Sequence, residues 1–197
     1  MLTLFHSPMS RSTRIMQLLH ELDALDQVEI RQVTIPRQDG SGQVDPDNPH
    51  PEGKVPVLVH DGCIIRESNA IILYLTDLFP SALAPVVGAA GRGSYLSWLA
   101  YYGNVVEPVL VHHFAELSHP VLDSTFRGVP ELKRQLENTL NSNDFLLGSE
   151  YSAADLLVAS PFAWFPDLAP DVPSIQGWLK RCEARPSNAA AAAFDGQ

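Results

Sequence analysis

The first residues that could do chemistry are two serines, Ser7 and Ser10, in a turn-rich segment near the start of the chain. A short apolar strand, residues 2–6, is predicted before them, and a helix is predicted to begin at about Ser12. A Cys-x-x-Cys pair in such a turn would exchange disulfides, which two hydroxyls cannot do. A hydroxyl beside a helix start can instead donate a hydrogen bond to the thiolate of a bound ligand, because the helix N-terminus carries partial positive charge.

A second candidate element lies between residues 53 and 69. The run from Val57 to Val59 predicts a strand, and Asp61-Gly62 has the residue types of a two-residue hairpin turn. Ser68 then opens an apolar-periodic helix, whose unpaired N–H groups could hold a small carboxylate. Pro56 cannot donate to a neighbouring strand, so it must face an unpaired edge. A strand edge next to an anion pocket predicts a site for a peptide-like ligand.

The elements that position these residues follow one another in a simple order. A strand, a helix and a second strand over residues 2–35 form a βαβ unit, whose strands should be parallel. The hairpin and its helix complete a βαβ-ββα layout over residues 1–79. Residues 80–93, rich in Pro, Gly and Ala, have the composition of a linker, and residues 94–197 predict helices only. The expected fold class is therefore an α/β N-terminal domain followed by an all-α helical bundle.

The helical half contains two further local signals. Pro108 lies inside an apolar helical pattern that continues past it, which predicts a kink. Ser152 and Asp155 precede an apolar run at the spacing of a capping box, so Asp155 should serve folding and not catalysis. The pair His112-His113 is not part of a His-Glu-x-x-His motif. No metal site is therefore expected.

Three of these motifs together resemble the glutathione transferase family: Val-Pro before an Asp-Gly hairpin, Glu-Ser opening a helix, and the Ser-x-x-Asp box. The resemblance spans essentially the whole chain and implies a thioredoxin-like N-terminal domain. It also implies that a cis-proline loop at Val55 and Pro56 pairs with the cysteinyl part of glutathione. By the same resemblance, Glu67 and Ser68 hold the γ-glutamyl end.

The first loop decides which type of transferase the resemblance implies. No tyrosine or cysteine occurs there, which leaves a bacterial serine type, similar to the theta and yeast types. Ser10 and Ser7 are alternative donors to the glutathione thiolate, with Ser10 preferred. A third interpretation is that these serines and Ser12 only cap the helix. Lys54 and His50 are expected to meet the glycyl carboxylate.

The activity implied by the resemblance is the ionisation of glutathione, a co-substrate, and transfer of its sulfur to a small hydrophobic electrophile. Tyr101, Asn104 and His112 are candidates for the electrophile cleft, and a homodimer is expected. The alternative is a non-catalytic transferase-like module that binds another protein or carries a ligand, because fold does not imply function.

Composition excludes several other classes of function for this chain of 197 residues. A net charge of -10 argues against a nucleic-acid partner, because phosphate binding depends on clustered Lys and Arg. Only two cysteines occur, which argues against a disulfide scaffold. No run approaches the ~20 apolar residues of a membrane span. The N-terminus lacks a signal peptide, so a cytoplasmic location is expected.

Overall fold

The computed structural model describes residues 1–196, which form two units. The first unit contains residues 1–81 together with the residues from Arg185 onward, and the second contains residues 82–184. An α/β unit and a helical unit are thus present, as the expected fold class requires. The last helix differs from the expectation of one helical domain over residues 94–197, because it packs on the first unit.

The first unit is built on a four-stranded sheet in the order β2-β1-β3-β4. Its strands are β1 (Leu2–His6), β2 (Glu29–Gln32), β3 (Val57–His60) and β4 (Cys63–Ile65). The central strand β1 is buried along its whole length. It pairs parallel with β2 and antiparallel with β3, and β3 pairs antiparallel with β4. The βαβ-ββα layout predicted from the sequence is therefore confirmed.

Two helices of the first unit follow the predicted apolar spacing. They are α1 (Thr13–Glu21) and α2 (Ser68–Leu78), each with its apolar residues on one face. The buried apolar residues include Ile15, Leu18, Leu19, Ile71 and Leu75. The turn between β1 and α1 contains Ser7, Ser10 and Ser12 and is called the serine turn below. Since α1 begins directly after this turn, its N-terminus lies at the end of the buried strand β1.

The second unit consists of helices joined by turns and loops. They are α3 (Arg92–Tyr101), α4 (Glu107–Phe114), α5 (Pro120–Phe126), α6 (Gly128–Leu140), α7 (Ala153–Trp164) and α8 (Pro173–Glu183). A π-helical turn, Tyr102–Val106, joins α3 to α4 just before Pro108. Proline has no N–H and crowds the carbonyl four residues earlier, so a wider turn accommodates the interruption at the place where a kink was predicted.

Ser152 and Asp155 form the predicted capping box at the start of α7. Asp155 accepts hydrogen bonds from the N–H of Ser152 at 2.9 Å and from its hydroxyl at 2.6 Å. It also accepts from the N–H of Leu146 at 2.8 Å and from Nε1 of Trp178 at 2.9 Å. Burial raises the pKa of Asp155, although these bonds act in the opposite direction. The carboxyl group thus joins three segments of the helical unit.

The last helix, α9 (Pro186–Asp195), packs against α1 in the first unit. Arg185 donates from Nε to the carboxylate of Glu21 on α1 at 2.9 Å. The hydroxyl of Ser187 donates to the same carboxylate. These contacts hold α9 on α1 and bring its last residue, Asp195, to the end of β1.

Residues 1–196 show two further features that bear on ligands and membranes. None of their helices combines the length and the apolar character needed to cross a bilayer. None of their His, Cys, Asp and Glu side chains come together in a group of three that could hold a metal ion. Neither of the two cysteines, the exposed Cys63 and the buried Cys182, forms a disulfide bond within these residues.

Candidate functional site

The serine turn, residues 7–12, brings the hydroxyl groups of Ser10 and Ser12 together with the backbone of Ser7 at the start of α1. Ser10 Oγ donates to the carbonyl oxygen of Ser7 at 2.6 Å and lies 2.8 Å from Ser12 Oγ. The N–H of Ser12 donates to Ser10 Oγ at 3.1 Å. Ser7 and Ser12 are buried, whereas Ser10 is half-buried. Ser10 is therefore the hydroxyl of this group that is nearest to solvent.

Ser12 does not act as the side-chain cap of α1, because its hydroxyl makes no hydrogen bond to the first turn of the helix. Its oxygen instead accepts the N–H of Ser7 at 3.1 Å. It also lies 2.7 Å from Nδ1 of His6, the last residue of β1. Ser12 is thus the N-cap residue of α1 by position, but its hydroxyl belongs to a buried polar network and does not cap the helix.

His6 continues this network to the opposite end of the chain. Its Nε2 atom lies 3.0 Å from Oδ1 of Asp195, and the two side chains are 0% and 2% exposed. The other oxygen of Asp195 accepts the N–H of Met9 at 2.8 Å and the hydroxyl of Thr13 at 2.5 Å. Burial lowers the pKa of His6, while the charge of Asp195 partly opposes that effect. The imidazole is therefore neutral near pH 7.

Arg37, in the loop after β2, holds the turn from another side. Its Nη2 donates to the carbonyl oxygen of Pro8 at 2.6 Å and to Ser7 Oγ at 3.3 Å, and its Nη1 donates to the carbonyl oxygen of Met9 at 3.1 Å. A cavity of about 420 Å³ adjoins these groups and is lined by residues 32–35, 42 and 45 together with Ser7, Pro8 and Arg37. Ser7 thus faces a cavity beside a guanidinium group, while Ser10 faces the buried network.

The proline loop lies against the sheet of the first unit. The Val55-Pro56 peptide bond is cis. Val55 packs in a cluster with Phe5, Val33 and Val57. The carbonyl oxygen of the preceding residue, Lys54, accepts a hydrogen bond from Nδ2 of a buried asparagine at 3.1 Å. The loop is therefore anchored from both sides of the cis bond.

Glu67 and Ser68 stand at the start of α2. Glu67 has a φ of 69°, in the left-handed region that residues other than glycine seldom adopt. Its side chain is exposed, and Ser68 is half-buried. Such backbone strain often accompanies a ligand site, because the surrounding structure must hold it in place. The N–H groups of a first helical turn lack intrahelical backbone acceptors, and in α2 the N–H of Ala70 donates to Oδ1 of Asn69 at 3.0 Å.

His50 and Lys54 are already engaged within their own loop. Nδ1 of His50 accepts the N–H of Glu52 at 3.0 Å, so a neutral ring carries its proton on Nε2. Burial and the nearby charge of Arg66 lower the pKa of His50. Lys54 pairs with the carboxylate of Glu52. Of the two residues, His50 therefore keeps a donor, the Nε2–H, that its own loop does not use.

The three electrophile-site candidates lie along one run of the helical unit but have different neighbours. Tyr101 stacks edge-on with Trp98, and burial together with the charge of Glu131 raises its pKa. Its hydroxyl oxygen is buried and has no hydrogen-bond partner in the described part of the chain. Asn104 is exposed in the π-helical turn, and His112 lies edge-on to a phenylalanine of α5 at 5.2 Å.

The structure adds four residues to those expected from the sequence: His6, Ser12 as a network member, Arg37 and Asp195. His6 had a detectable signal, because a histidine ends an otherwise apolar strand directly before the serine turn. Arg37 lies in a polar loop, and Asp195 follows an alanine-rich segment. Neither of these positions has a local pattern that indicates a functional site.

Comparison with known proteins gives matches to both units. The family model of the glutathione S-transferase N-terminal domain matches residues 4–83, and that of the C-terminal domain matches residues 100–186. Glutathione S-transferase 3 of Schizosaccharomyces pombe is 27% identical over 209 residues, an alignment that covers 95% of this chain and 85% of that protein. The sequence likeness therefore extends across both units.

Solved structures give the same result. The crystal structure of a glutathione transferase from Methylococcus capsulatus has a TM-score of 0.76 and 28% identity, and the match covers 100% of this chain and 99% of that one. A sphingomonad glutathione S-transferase complexed with glutathione has a TM-score of 0.75 and 27% identity, with 98% of each chain covered.

Proposed function

The chain belongs to the glutathione S-transferase family, and we propose that its serine turn ionises bound glutathione for attack on a small hydrophobic electrophile. The observation that carries this proposal is the half-buried Ser10 hydroxyl at the N-terminus of α1, held by Ser7 and Ser12. No cysteine or tyrosine lies in this turn. The mechanism proposed is therefore that of a serine-type transferase.

The hydroxyl of Ser10 can change its hydrogen-bond acceptor, as a donor to a thiolate must. Its single proton is directed at the carbonyl oxygen of Ser7, and a rotation about one side-chain bond would redirect it to a sulfur bound above the turn. A hydrogen bond to an anion is stronger than one to a neutral carbonyl. The start of α1 adds partial positive charge at the same place. Ser7 is the alternative donor, and the guanidinium of Arg37 would support it.

Glutathione is proposed to lie along the edge that the proline loop forms. Val55 and Pro56 would pair with its cysteinyl backbone, and Glu67 and Ser68 would hold the γ-glutamyl end at the start of α2. The positive φ of Glu67 supports this role, because it is strain of the kind that binding sites retain. The anion-binding character of a helix start also favours it.

The glycyl carboxylate is assigned to His50, with Lys54 as a second partner. The free Nε2–H of a neutral His50 supports the assignment. Lys54 would have to divide its charge between this carboxylate and Glu52. Replacing His50 should therefore weaken glutathione binding more than replacing Lys54.

The electrophile is proposed to contact the helical unit near Tyr101, Asn104 and His112. The buried and unpartnered hydroxyl of Tyr101 is the feature that favours this region, because such a group gains from a ligand that bonds to it. We further propose that the protein is a homodimer, that it is located in the cytoplasm and that it acts in detoxification.

Ser10→Ala tests the proposed role of Ser10 directly. Glutathione transfer to a small aryl electrophile should fall about 100-fold, the usual effect of losing one donor to a developing anion. The affinity for S-methylglutathione, which cannot ionise, should stay within about twofold if only the thiolate contact is lost. Ser97→Ala is the matched control, because Ser97 is an exposed serine whose hydroxyl also donates to a backbone carbonyl.

Ser7→Ala distinguishes the two serines. If Ser10 is the donor, this variant should retain most of the transfer activity, and the reverse result would assign the role to Ser7. Full activity in both single variants and in the double variant would contradict the proposed mechanism. Glutathione binding without transfer in the wild-type protein would favour the non-catalytic module.

A further inference from the structure

A continuous polar chain leads from the half-buried Ser10 into the interior of the first unit. Ser10 Oγ lies 2.8 Å from Ser12 Oγ, and Ser12 Oγ lies 2.7 Å from His6 Nδ1. His6 Nε2 lies 3.0 Å from Asp195 Oδ1. Three separate segments supply these groups: the serine turn, the end of β1 and the end of α9. A continuous chain of hydroxyl and imidazole groups within hydrogen-bonding distance can carry a proton.

The position of each hydrogen in this chain follows from its neighbours. Asp195 accepts two donors on Oδ2, and its Oδ1 lies 3.0 Å from His6 Nε2, which favours the tautomer with the proton on Nε2. Neither Oδ1 nor Nε2 makes a hydrogen bond within residues 1–196, so their 3.0 Å approach is the contact of an ion pair. In the neutral ring, Nδ1 is therefore an acceptor, and the hydroxyl of Ser12 donates to it at 2.7 Å in preference to the more distant carbonyl oxygen of Ser7 at 3.1 Å.

The direction of the hydrogen bond between Ser10 and Ser12 follows from the same count of donors and acceptors. Since the one proton of Ser12 is directed to His6, its oxygen can only accept. It accepts the N–H of Ser7, and it accepts the Ser10 hydroxyl once that hydroxyl turns from the carbonyl oxygen of Ser7, 2.6 Å away, to Ser12 Oγ, 2.8 Å away. Ser10 then accepts the N–H of Ser12 and keeps a free lone pair. A thiol placed above Ser10 can donate its S–H to that lone pair. With a neutral His6 and the Ser10 hydroxyl turned toward Ser12, every donor in the chain points inward.

We infer that His6 receives the proton that bound glutathione loses, through Ser10 and Ser12. The thiol S–H bond breaks as Ser10 Oγ takes its proton, Ser10 passes its own proton to Ser12, and Ser12 passes its proton to His6 Nδ1. The products are a thiolate and an imidazolium, so no net charge is created and no electrons are transferred. This inference rests on the proposed function of Ser10.

The product of this step is stabilised at both ends. Every hydrogen bond in the chain reverses, so that His6 donates to Ser12, Ser12 donates to Ser10, and Ser10 donates to the thiolate. Hydrogen bonds with an ionised partner are about twice as strong as neutral ones. At the far end, the carboxylate of Asp195 faces the imidazolium at 3.0 Å. Ser10 alone touches the substrate, and Ser12, His6 and Asp195 are positioning residues that act through it.

The surroundings of His6 favour a neutral ring before glutathione binds, because burial lowers the pKa of His6. Burial also makes the ring a weaker base, so the nearby carboxylate of Asp195 is needed to stabilise the imidazolium. Asp195, from α9, is the charged group that acts on it. Its β2 neighbour is the neutral Gln32, and the ring of Phe194 lies edge-on at 5.6 Å. Arg37 is engaged by Ser7 and the carbonyl groups of the turn.

The test is the number of protons released to solvent when glutathione ionises on the protein. Thiolate formation is followed by ultraviolet absorbance, and proton release by calorimetry in buffers of different ionisation enthalpy. Binding of S-methylglutathione gives the background from all other linked groups. The wild-type protein should form the thiolate near pH 7.5 while releasing well under one proton per thiolate.

His6→Asn is the informative variant, because the asparagine oxygen can still accept from Ser12 but cannot take a proton. It should raise the apparent pKa of the bound thiol by about one unit or more, and each thiolate formed should release one proton. If His6→Asn destabilises the fold, the double variant with Asp195→Asn removes the unpaired carboxylate and is expected to behave in the same way. His113→Gln, at an exposed histidine of α4, is the control.

The outcomes separate this inference from the proposed function. Release of one proton per thiolate in the wild-type protein, unchanged in His6→Asn, would overturn the role of His6 and leave the transferase mechanism intact. Glutathione that binds the wild-type protein without ionising would overturn both. A merely structural His6 would change stability but would not change the number of protons released.

Discussion

Two buried aspartates, one in each unit, are held by hydrogen bonds in different ways. Asp155 of the helical unit accepts four donors, from Leu146, Ser152 and Trp178. These partners occupy both carboxylate oxygens. The carboxylate caps the start of α7 and links neighbouring segments. Neither of its oxygens is left to bind a ligand.

Asp195 of the α/β unit has a different arrangement. One of its oxygens accepts the N–H of Met9 and the hydroxyl of Thr13, and the other lies 3.0 Å from Nε2 of the buried His6. Neither of these last two atoms makes a hydrogen bond within residues 1–196. Through His6 and Ser12 the network reaches the half-buried Ser10. The comparison teaches that burial alone does not assign a role to a carboxylate. A saturated set of partners indicates a structural role, and a chain of partners that leads to a ligand site indicates a functional one.

The largest effect on stability is expected for Asp155→Ala. Several buried donors would lose their acceptor at once, at about 1–3 kcal/mol each, so the free energy of unfolding should fall by about 3–4 kcal/mol. Equilibrium unfolding in urea measures this change. Asp171→Ala, at an exposed aspartate of the same unit, should stay within about 0.5 kcal/mol of the wild type. A loss below about 1 kcal/mol for Asp155→Ala would contradict the structural role assigned to Asp155.

A smaller loss of stability but a larger loss of activity is expected for Asp195→Asn. The amide keeps the size of the carboxyl group and one acceptor oxygen, so unfolding should become easier by only about 1–2 kcal/mol. Turnover should fall about tenfold or more, because an imidazolium at His6 would lose its counter-charge. Steady-state kinetics of the folded protein at saturating glutathione measures this effect. Asp155→Asn, by contrast, should leave turnover per folded molecule unchanged, and equal turnover losses in the two variants would erase the distinction.

The smallest effect concerns the ion pair that holds α9 in place. Burial by itself raises the pKa of Glu21, but the hydrogen bonds from Arg185 and Ser187 and the charge of Arg185 outweigh it and hold the pKa below its ordinary value of 4.5. A carboxyl whose pKa is lower in the folded state stabilises the protein above about pH 4.5 and loses that contribution as the pH falls through the folded-state value.

Glu21→Gln should therefore lower the free energy of unfolding by about 1–2 kcal/mol at pH 7 and by less in acid. Unfolding curves at several pH values measure the difference between variant and wild type. Glu150→Gln, at an exposed glutamate, is the control. A constant difference at all pH values would mean that the charge of Glu21 does not contribute to the docking of α9.

Local patterns made much of this architecture predictable. The capping box at Ser152 and Asp155, the Asp61-Gly62 hairpin and the apolar faces of α1 and α2 depend on residues that are close in sequence. The helix start after the serine turn follows from the same kind of signal. The resemblance of these motifs to a known family then gave the order of the two domains and the fold class.

The buried network could not be predicted in this way, because its members are far apart in sequence. Met9 and Asp195 are separated by 186 positions, and no periodicity relates them. The alanine-rich sequence of α9 has no strong apolar stripe that would indicate which surface it packs on. Ser12 was interpreted as a helix cap because serine is common at helix starts. Its actual partner, His6, is determined by the end of β1 and not by the helix.

The most direct test of the account is a titration of the ultraviolet thiolate absorbance of glutathione bound to the wild-type protein and to Ser10→Ala. We expect the wild-type midpoint to lie below that of free glutathione, whose thiol should titrate near the ordinary cysteine value of about 8.5. The midpoint of the variant should return to about that value. A wild-type midpoint at or above that of free glutathione, or equal midpoints in the two proteins, would contradict the assignment of the serine turn as the site of thiol ionisation.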